Sequence, residues 1–228
     1  MSLPAYWLER PGPAPSAATR AEFDALLERA VRAGPATPID YRLDAPKWQF
    51  LCHVADRGEA VLHGSSAPEI GTFEPRQSND IAEFGNRKAV YAAADGLWAM
   101  YFAILDRSGN QMSLINSCYR EVYDDGSLSE PHYFFSVNSE VLDQDQFSAG
   151  TVYLLPAGKF EREAPYVKGG RRVLTAQAAA LEPVEPIAKL LVEPADFPLR
   201  IRGHDLRTQL ARIDADPGGF PWVADDEV

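Results

Sequence analysis

The segment from Ala60 to Ala103 constrains the fold more than any other part of the chain. It begins with a short apolar stretch that ends at His63, and after a long polar loop a second apolar stretch carries Tyr91. An apolar run follows, for which Asp95 is the expected N-cap, because a carboxylate accepts hydrogen bonds from the free N–H groups of a first helical turn. This pattern predicts a strand over 59–63, a loop over 65–87, a strand over 89–92 and a helix over 95–105.

Two amphipathic helices are predicted ahead of this segment. The first has apolar residues at helical spacing over 23–31, behind a segment, 19–22, with the spacing of a capping box. The second extends over about 46–58 and has a proline in its first turn. Residues 1–18 are rich in proline, and we expect an extended arm whose aromatic side chains dock on the body of the protein.

The second half of the chain alternates between apolar and polar residues, which is typical of strands. Strands are predicted over 112–123, 131–137, 149–156 and 171–180, with an irregular charged segment over 159–168. The segment 184–192 is predicted to be either the final strand or a strand with a short helical lead. A short helix is predicted over 205–213, from Leu206, Leu210 and Ile213, and a flexible or surface-laid tail over 214–228. No internal repeat or linker divides the chain, so we expect one α+β domain in which two N-terminal helices precede mostly antiparallel strands.

The charge of the chain restricts its partners. The formal net charge is -11 and the sequence pI is about 4.8, so the negative field disfavours extended binding to DNA or RNA. No stretch reaches the roughly 18 apolar residues of a membrane span, and the N-terminus does not resemble a signal peptide. We therefore expect a cytoplasmic protein without a membrane partner.

The residues that bind metals or form disulfides are few and scattered. Cys52 and Cys118 stand apart from each other and from any histidine at ligand spacing, so reduced and buried thiols are expected. The 4 histidines are also distant from one another. We expect no metal site.

A candidate ligand pocket is indicated at the end of the first strand. His63 would lie at the mouth of the strand, and Gly64 has no Cβ to keep a flat ligand from the backbone. Ser65 and Ser66 add hydroxyl donors, and Tyr91 offers a ring for stacking. The alternative is a strand-end histidine with satisfied hydrogen bonds and a core tyrosine, and the spacing alone leaves both open.

The order of these motifs resembles the NAD-binding core of the ADP-ribosyltransferase superfamily, which includes the poly-ADP-ribose polymerases and the RNA 2′-phosphotransferases. The resemblance covers about residues 58–195. It rests on His63-Gly64-Ser65, on Val90-Tyr91-Ala92-Ala93, on an apolar helix ending in Tyr101-Phe102-Ala103, and on the runs 150–156 and 182–187, which are similar to a bacterial branch. It implies a split-sheet core over 59–195, with the arm and two helices (1–58) packed on it and a C-terminal extension with an acidic tail (196–228).

The resemblance also implies roles for individual residues. His63 would bind a ribose, Gly64 would hold the nicotinamide carboxamide through its backbone, and Tyr91 would stack on the nicotinamide ring. The superfamily normally has a glutamate that stabilises the positive charge developing at the anomeric carbon. Gln177 aligns with that glutamate, and an amide supplies no full negative charge.

Four other residues are candidates for supporting roles. Arg76 and Arg87, in the loop between the two motifs, are the best placed to neutralise a pyrophosphate. Glu140 and Glu182 are alternative acids on other segments. A surface position without function is the competing interpretation for each of them.

The implied function is that of an NAD-binding, ADP-ribosyltransferase-like protein, which would cleave the nicotinamide N-glycosidic bond and transfer ADP-ribose to an unknown acceptor. With water as the acceptor it would be an NAD glycohydrolase. The alternative is a catalytically weak or inactive module that binds a nucleotide or a protein on the same fold, and Gln177 favours it. A third possibility is a structural protein without a nucleotide site, and the sequence leaves open whether the chain is an enzyme.

Overall fold

A computed structural model describes residues 4–78, 80, 82–108 and 112–223 of the chain. Within these residues the chain forms five α-helices and two β-sheets. The helices are α1 (Ala17–Ala33), α2 (Lys47–Asp56), α3 (Gly96–Ala103), α4 (Ser139–Asp143) and α5 (Leu206–Ala215). The strands are β1 (Leu8–Glu9), β2 (Ala60–Ser65), β3 (Arg76–Gln77), β4 (Lys88–Ala93), β5 (Leu114–Glu121), β6 (His132–Asn138), β7 (Gly150–Pro156), β8 (Glu161–Arg162), β9 (Tyr166–Lys168), β10 (Arg171–Thr175), β11 (Gln177–Ala180), β12 (Ala188–Val192) and β13 (Arg202–His204).

The strands form two sheets, here called sheet A and sheet B. Sheet A has the order β1-β6-β5-β10-β9, and β13 pairs with β6; sheet B has the order β12-β7-β2-β4-β11-β8, and β3 pairs with β4. All described pairs are antiparallel except that of β6 with β13. The predicted α+β class with mostly antiparallel strands is therefore confirmed, whereas the ADP-ribosyltransferase-like core stays a prediction.

The two sheets are joined at Ala176, between β10 and β11. The Ala176 N–H donates to the carbonyl of Cys118 in sheet A, and the Ala176 carbonyl accepts from the N–H of Ala94 just after β4. The single strand predicted over 171–180 is thus two strands, one in each sheet. Sequence alternation could not show this, because a single residue, the bend at Ala176, separates the two strands.

Helix α3 is the centre of the molecule. It is apolar on all sides, and seven of its residues are buried, as expected of a core helix. Asp95 is its N-cap and accepts a hydrogen bond from the Trp98 N–H, which confirms the predicted cap. One large hydrophobic cluster joins α3 to α1, α2 and both sheets.

Three glycines allow backbones to approach α3 closely. A Cβ at Gly64 would lie 1.9 Å from the Ala99 carbonyl oxygen, and one at Gly150 would lie 1.9 Å from that of Ala103. A Cβ at Gly96 would lie 2.4 Å from the Cys52 backbone nitrogen of α2. These glycines are therefore required for packing, because any side chain would overlap a neighbouring backbone.

Several local predictions differ from the structure. The N-cap of α1 is Ser16, whose hydroxyl accepts from the Thr19 N–H, so the predicted cap at Thr19 was wrong by one turn. In α5 the buried side chain is Gln209, which donates to the Pro221 carbonyl, whereas Leu206 and Leu210 are exposed. The segment predicted as irregular, 159–168, contains β8 and β9, which are too short to produce a periodic pattern.

Both terminal segments lie on the outer face of sheet A. Trp7 packs edge-on against Tyr119 with the ring centroids 4.7 Å apart, and Phe134 contacts Trp7 and Phe220. Trp222 is buried in the same cluster. The docking predicted for the arm is confirmed. The tail packs against sheet A as far as residue 223, with Trp222 buried; residues 224–228 are outside the described part of the chain.

Candidate functional site

The three residues predicted to be catalytic lie on neighbouring strands of sheet B. β2, β4 and β11 are adjacent, and Leu62, Ala93 and Gln177 lie directly opposite one another across them. His63 follows Leu62, and Tyr91 is two residues before Ala93. The fold therefore brings these three backbone positions together from distant parts of the sequence.

His63 is held in one tautomer by the neighbouring strand. Its Nδ1 lies 2.6 Å from the Tyr91 backbone carbonyl oxygen, and because a carbonyl can only accept, Nδ1 carries the proton. Burial lowers the pKa of His63 below its usual value of 6.5, so the ring is neutral at pH 7. Nε2 is then an acceptor, and no described residue makes a hydrogen bond to it.

The side chains of the three residues do not share one face. The His63 ring packs on Phe73 with the centroids 4.6 Å apart, and Phe73 clusters with Val90 and Ala92 on one face of sheet B. Since side chains alternate along a strand, the Tyr91 phenol projects from the other face. The Gln177 side chain shares that second face, because Gln177 lies opposite Ala93. His63 and Tyr91 thus meet through a backbone carbonyl, and their rings are on opposite sides of the sheet.

Tyr91 closes the end of the long loop. Its hydroxyl accepts from the Arg87 N–H at 2.7 Å and lies 2.9 Å from the Phe84 carbonyl oxygen, to which it can donate. The Arg87 guanidinium pairs with Glu161 at 3.1 Å and lies 4.2 Å from the centre of the Phe84 ring. The side chains of Tyr91 and Arg87 therefore both hold the end of the loop over 65–87 in place.

Gly64, Ser65 and Ser66 have local roles in the structure. The side of Gly64 that lacks a Cβ faces α3, so this glycine permits helix packing. The Ser65 hydroxyl accepts from the Ala67 N–H at 3.1 Å, and Ser66 is exposed.

Two arginines lie near His63. The charges of Arg107 and Arg76 both lower its pKa further, after the larger effect of burial. Arg76 is exposed on β3 opposite Ala89, so its side chain is on the Tyr91 face of sheet B. The Arg107 guanidinium lies 5.6 Å from the centre of the Phe102 ring. Neither arginine forms an ion pair within the described part of the chain. Arg107 was not predicted from the sequence; its position just after α3, beside the end of β2, was the missed signal.

The remaining candidates lie apart from this region. Glu140 and Glu182 are exposed, and the Glu140 carboxylate accepts from the Asn138 amide, which lowers the pKa of Glu140. Cavities of about 400 and 230 Å³ are present elsewhere, and neither is lined by His63, Tyr91 or Gln177. Within the described ranges, no group of three or more histidine, cysteine or acidic side chains could hold a metal ion, and no helix is long and apolar enough to cross a membrane.

Comparisons with protein-family models, with curated proteins and with solved structures found no match to this chain. What the region around His63 can bind therefore follows from its own chemical groups. It offers an acceptor for a hydroxyl group at His63 Nε2, and the positive charges of Arg107 and Arg76 act on the same ring. The tyrosine that the resemblance would stack on the ligand, Tyr91, is on the other face of the sheet, while Tyr153 lies opposite His63 and packs on Phe73.

Proposed function

We propose that this chain binds NAD or a related ADP-ribose-containing ligand at the end of β2, on an ADP-ribosyltransferase-like scaffold. The observation that carries the proposal is the bond between His63 Nδ1 and the Tyr91 carbonyl, which leaves Nε2 as an acceptor that no described residue uses. The positive charges of Arg107 and Arg76 also act on this ring. A ribose hydroxyl can donate to Nε2, and Arg76 and Arg107 supply positive charge for phosphate groups. This local charge lies in a chain whose net charge is -11.

The strand arrangement also supports the proposal. The resemblance requires a histidine, a tyrosine and a third polar residue on strands that meet, and β2, β4 and β11 are adjacent. It also implies a split sheet, and the passage of the chain from sheet A to sheet B at Ala176 is compatible with that implication.

The geometry favours binding over turnover. Loss of nicotinamide leaves positive charge at the anomeric carbon, which a nearby carboxylate stabilises best. Gln177 is uncharged, and its side chain is on the face opposite the His63 ring. We therefore expect ligand binding with slow or no cleavage, and transfer of ADP-ribose stays a prediction from the resemblance.

Calorimetric titration with ADP-ribose and with NAD tests the proposal. His63→Gln is expected to weaken binding about tenfold, the effect of one hydrogen bond worth about 1.4 kcal/mol. Arg107→Ala is expected to weaken binding by a similar factor. His132→Gln and Arg42→Ala are matched controls in other parts of the molecule, and both should bind as the wild type does.

Three results are informative. No heat and no thermal stabilisation at millimolar NAD or ADP-ribose would overturn the proposal. Equal affinity in His63→Gln and the wild type would show that the ligand does not bind at His63. Nicotinamide release that is lost in His63→Gln would establish the transferase or glycohydrolase activity in place of simple binding.

A further inference from the structure

Lys189 is a buried cation on β12. Its side chain is 3% exposed, and its Nζ lies 3.1 Å from each carboxylate oxygen of Glu69 and 3.3 Å from the Pro68 carbonyl oxygen. A buried ammonium group requires such partners, because removing its water is costly. The Glu69 side chain is 79% exposed, so the counter-ion of a core lysine comes from a surface loop.

A cavity lies beside this ion pair. Its volume is about 230 Å³, and its walls are formed by 33–36, by 69–71 and by Lys189. Most of the lining residues are small or apolar, among them Ala36 and Ile70. The cavity therefore presents one ammonium group to a space that suits a short hydrocarbon chain.

We propose that Lys189 is a binding site for a short-chain carboxylate, and that the Glu69 carboxylate fills this site in the chain itself. Nζ lies 3.1 Å from both oxygens of Glu69, so the site accommodates a carboxylate. The last turn of α1 lines the same cavity through Ala33, and the negative end of a helix repels a dianion more strongly than a monoanion. A monocarboxylate is therefore preferred over phosphate or sulfate.

Glu69 has an advantage over a free ligand because it is tethered. The effective concentration of a group on a short tether is of millimolar order or above, so a competing ligand needs contacts beyond its carboxylate. The cavity walls supply these contacts, and each methylene group that they bury should increase the affinity about fourfold. Butyrate should therefore bind more tightly than acetate.

Glu69 also lies in the segment that covers His63. The Tyr153 hydroxyl donates to the Ala67 carbonyl and accepts from the Ile70 N–H, and the Phe73 ring packs on His63. A ligand that replaces Glu69 removes one anchor from this segment, 66–73. The carboxylate site is distinct from the proposed nucleotide site but borders the same loop.

Chemical rescue of Glu69→Ala tests the inference. This variant should have a lower Tm than the wild type, and butyrate should raise its Tm by about 3 °C or more once well above its Kd. Acetate should raise the Tm less than butyrate does, and sodium chloride at equal ionic strength should not raise it. Glu74→Ala, a change at an exposed position of the same loop, is the matched control and should show no rescue.

Lys189→Met in the Glu69→Ala background identifies the binding group. The double variant should not respond to butyrate, because the ammonium group is gone. Equal rescue in the double variant, or no butyrate-specific rescue in Glu69→Ala, would overturn the proposal; equal rescue by phosphate would overturn the carboxylate preference. If Glu69→Ala does not fold, Glu69→Gln keeps the side-chain length without the charge, and the same comparisons apply.

Discussion

The imidazole Nδ1 of His63 lies 2.6 Å from the backbone carbonyl oxygen of Tyr91, while the rings of the two residues project from opposite faces of sheet B. This relationship fixes the proton on Nδ1 and leaves Nε2 as an acceptor. It also separates the histidine from the tyrosine that the family resemblance places in the same pocket. The chemistry available at His63 Nε2 is therefore the acceptance of a hydrogen bond from a hydroxyl group.

The first prediction concerns pH. Burial lowers the pKa of His63, so between the folded pKa and the usual value of 6.5 the unfolded chain binds more protons than the folded chain. The free energy of unfolding therefore increases with pH through this window, and acidification from pH 7 to pH 5 destabilises the protein.

Urea unfolding at several pH values measures this slope. His63→Gln should show a smaller slope than the wild type. Burial also lowers the pKa of His132 and His204, so a residual slope is expected in the variant. Identical slopes would mean that His63 titrates as it does in the unfolded chain.

The second prediction separates structure from binding at Tyr91. Tyr91→Phe removes the oxygen that accepts from the Arg87 N–H and can donate to the Phe84 carbonyl. We expect a loss of about 1–2 kcal/mol in the free energy of unfolding and no change in ADP-ribose affinity. Tyr123→Phe, at an exposed position, is the control and should be neutral. A large loss of affinity in Tyr91→Phe would indicate that the ligand uses the opposite face of the sheet.

The third prediction tests why residue 64 is glycine. In Gly64→Ala the new Cβ would overlap the Ala99 carbonyl oxygen, and relieving the overlap must shift α3. We expect a loss of about 3 kcal/mol or more, at the upper end of overpacking effects. Gly158→Ala is the matched control, because a Cβ there meets nothing within 4 Å. Equal stability of the two variants would contradict the close packing of α3 on β2.

The fourth prediction concerns the ion pair between the N-terminal arm and α3. The Asp95 side chain is 3% exposed, and it accepts from Arg10 at 3.1 Å and from the Tyr133 hydroxyl at 2.8 Å. Arg10→Ala leaves this buried carboxylate without a cation, which should cost about 3 kcal/mol. Asp95→Asn should cost less in the Arg10→Ala background than in the wild type.

A double-mutant cycle by urea unfolding measures that coupling. Arg42→Ala is the control, because Arg42 and its partner Asp40 are 83% and 72% exposed and such pairs contribute little. Strictly additive losses for Arg10→Ala and Asp95→Asn would mean that the arm and α3 are energetically independent.

Much of the fold could be predicted from local patterns. The N-cap at Asp95, the apolar helix behind it, the two N-terminal helices and the main strands each leave a signal within a few residues. The short strands β8 and β9 leave none, because they exist only by pairing with β11 and β10. The division between the sheets at Ala176 also leaves no signal in the sequence, because it depends on the strands with which β10 and β11 pair.

The candidate site was predictable in part. His63 and Gly64 were identified from their position at the end of an apolar strand. Whether Arg76 and Arg107 form ion pairs depends on which acidic side chains lie near them in the folded chain. Arg87 shows the limit of sequence reasoning, because Glu161 engages it from a distant segment. The ion pair between Lys189 and Glu69 was likewise invisible, since 120 residues separate its members.

By itself the sequence determined the elements of this protein: which segments are helical, which are extended, and that α3 must be buried on all sides. The tertiary structure alone decided which side chains share a space. Alternation along one strand determines that Tyr91 and its chain neighbours point to opposite faces. Only the pairing of β2, β4 and β11 determines which of those faces carries the His63 side chain. For that reason His63 and Tyr91 are adjacent through the backbone and yet face opposite sides of one sheet.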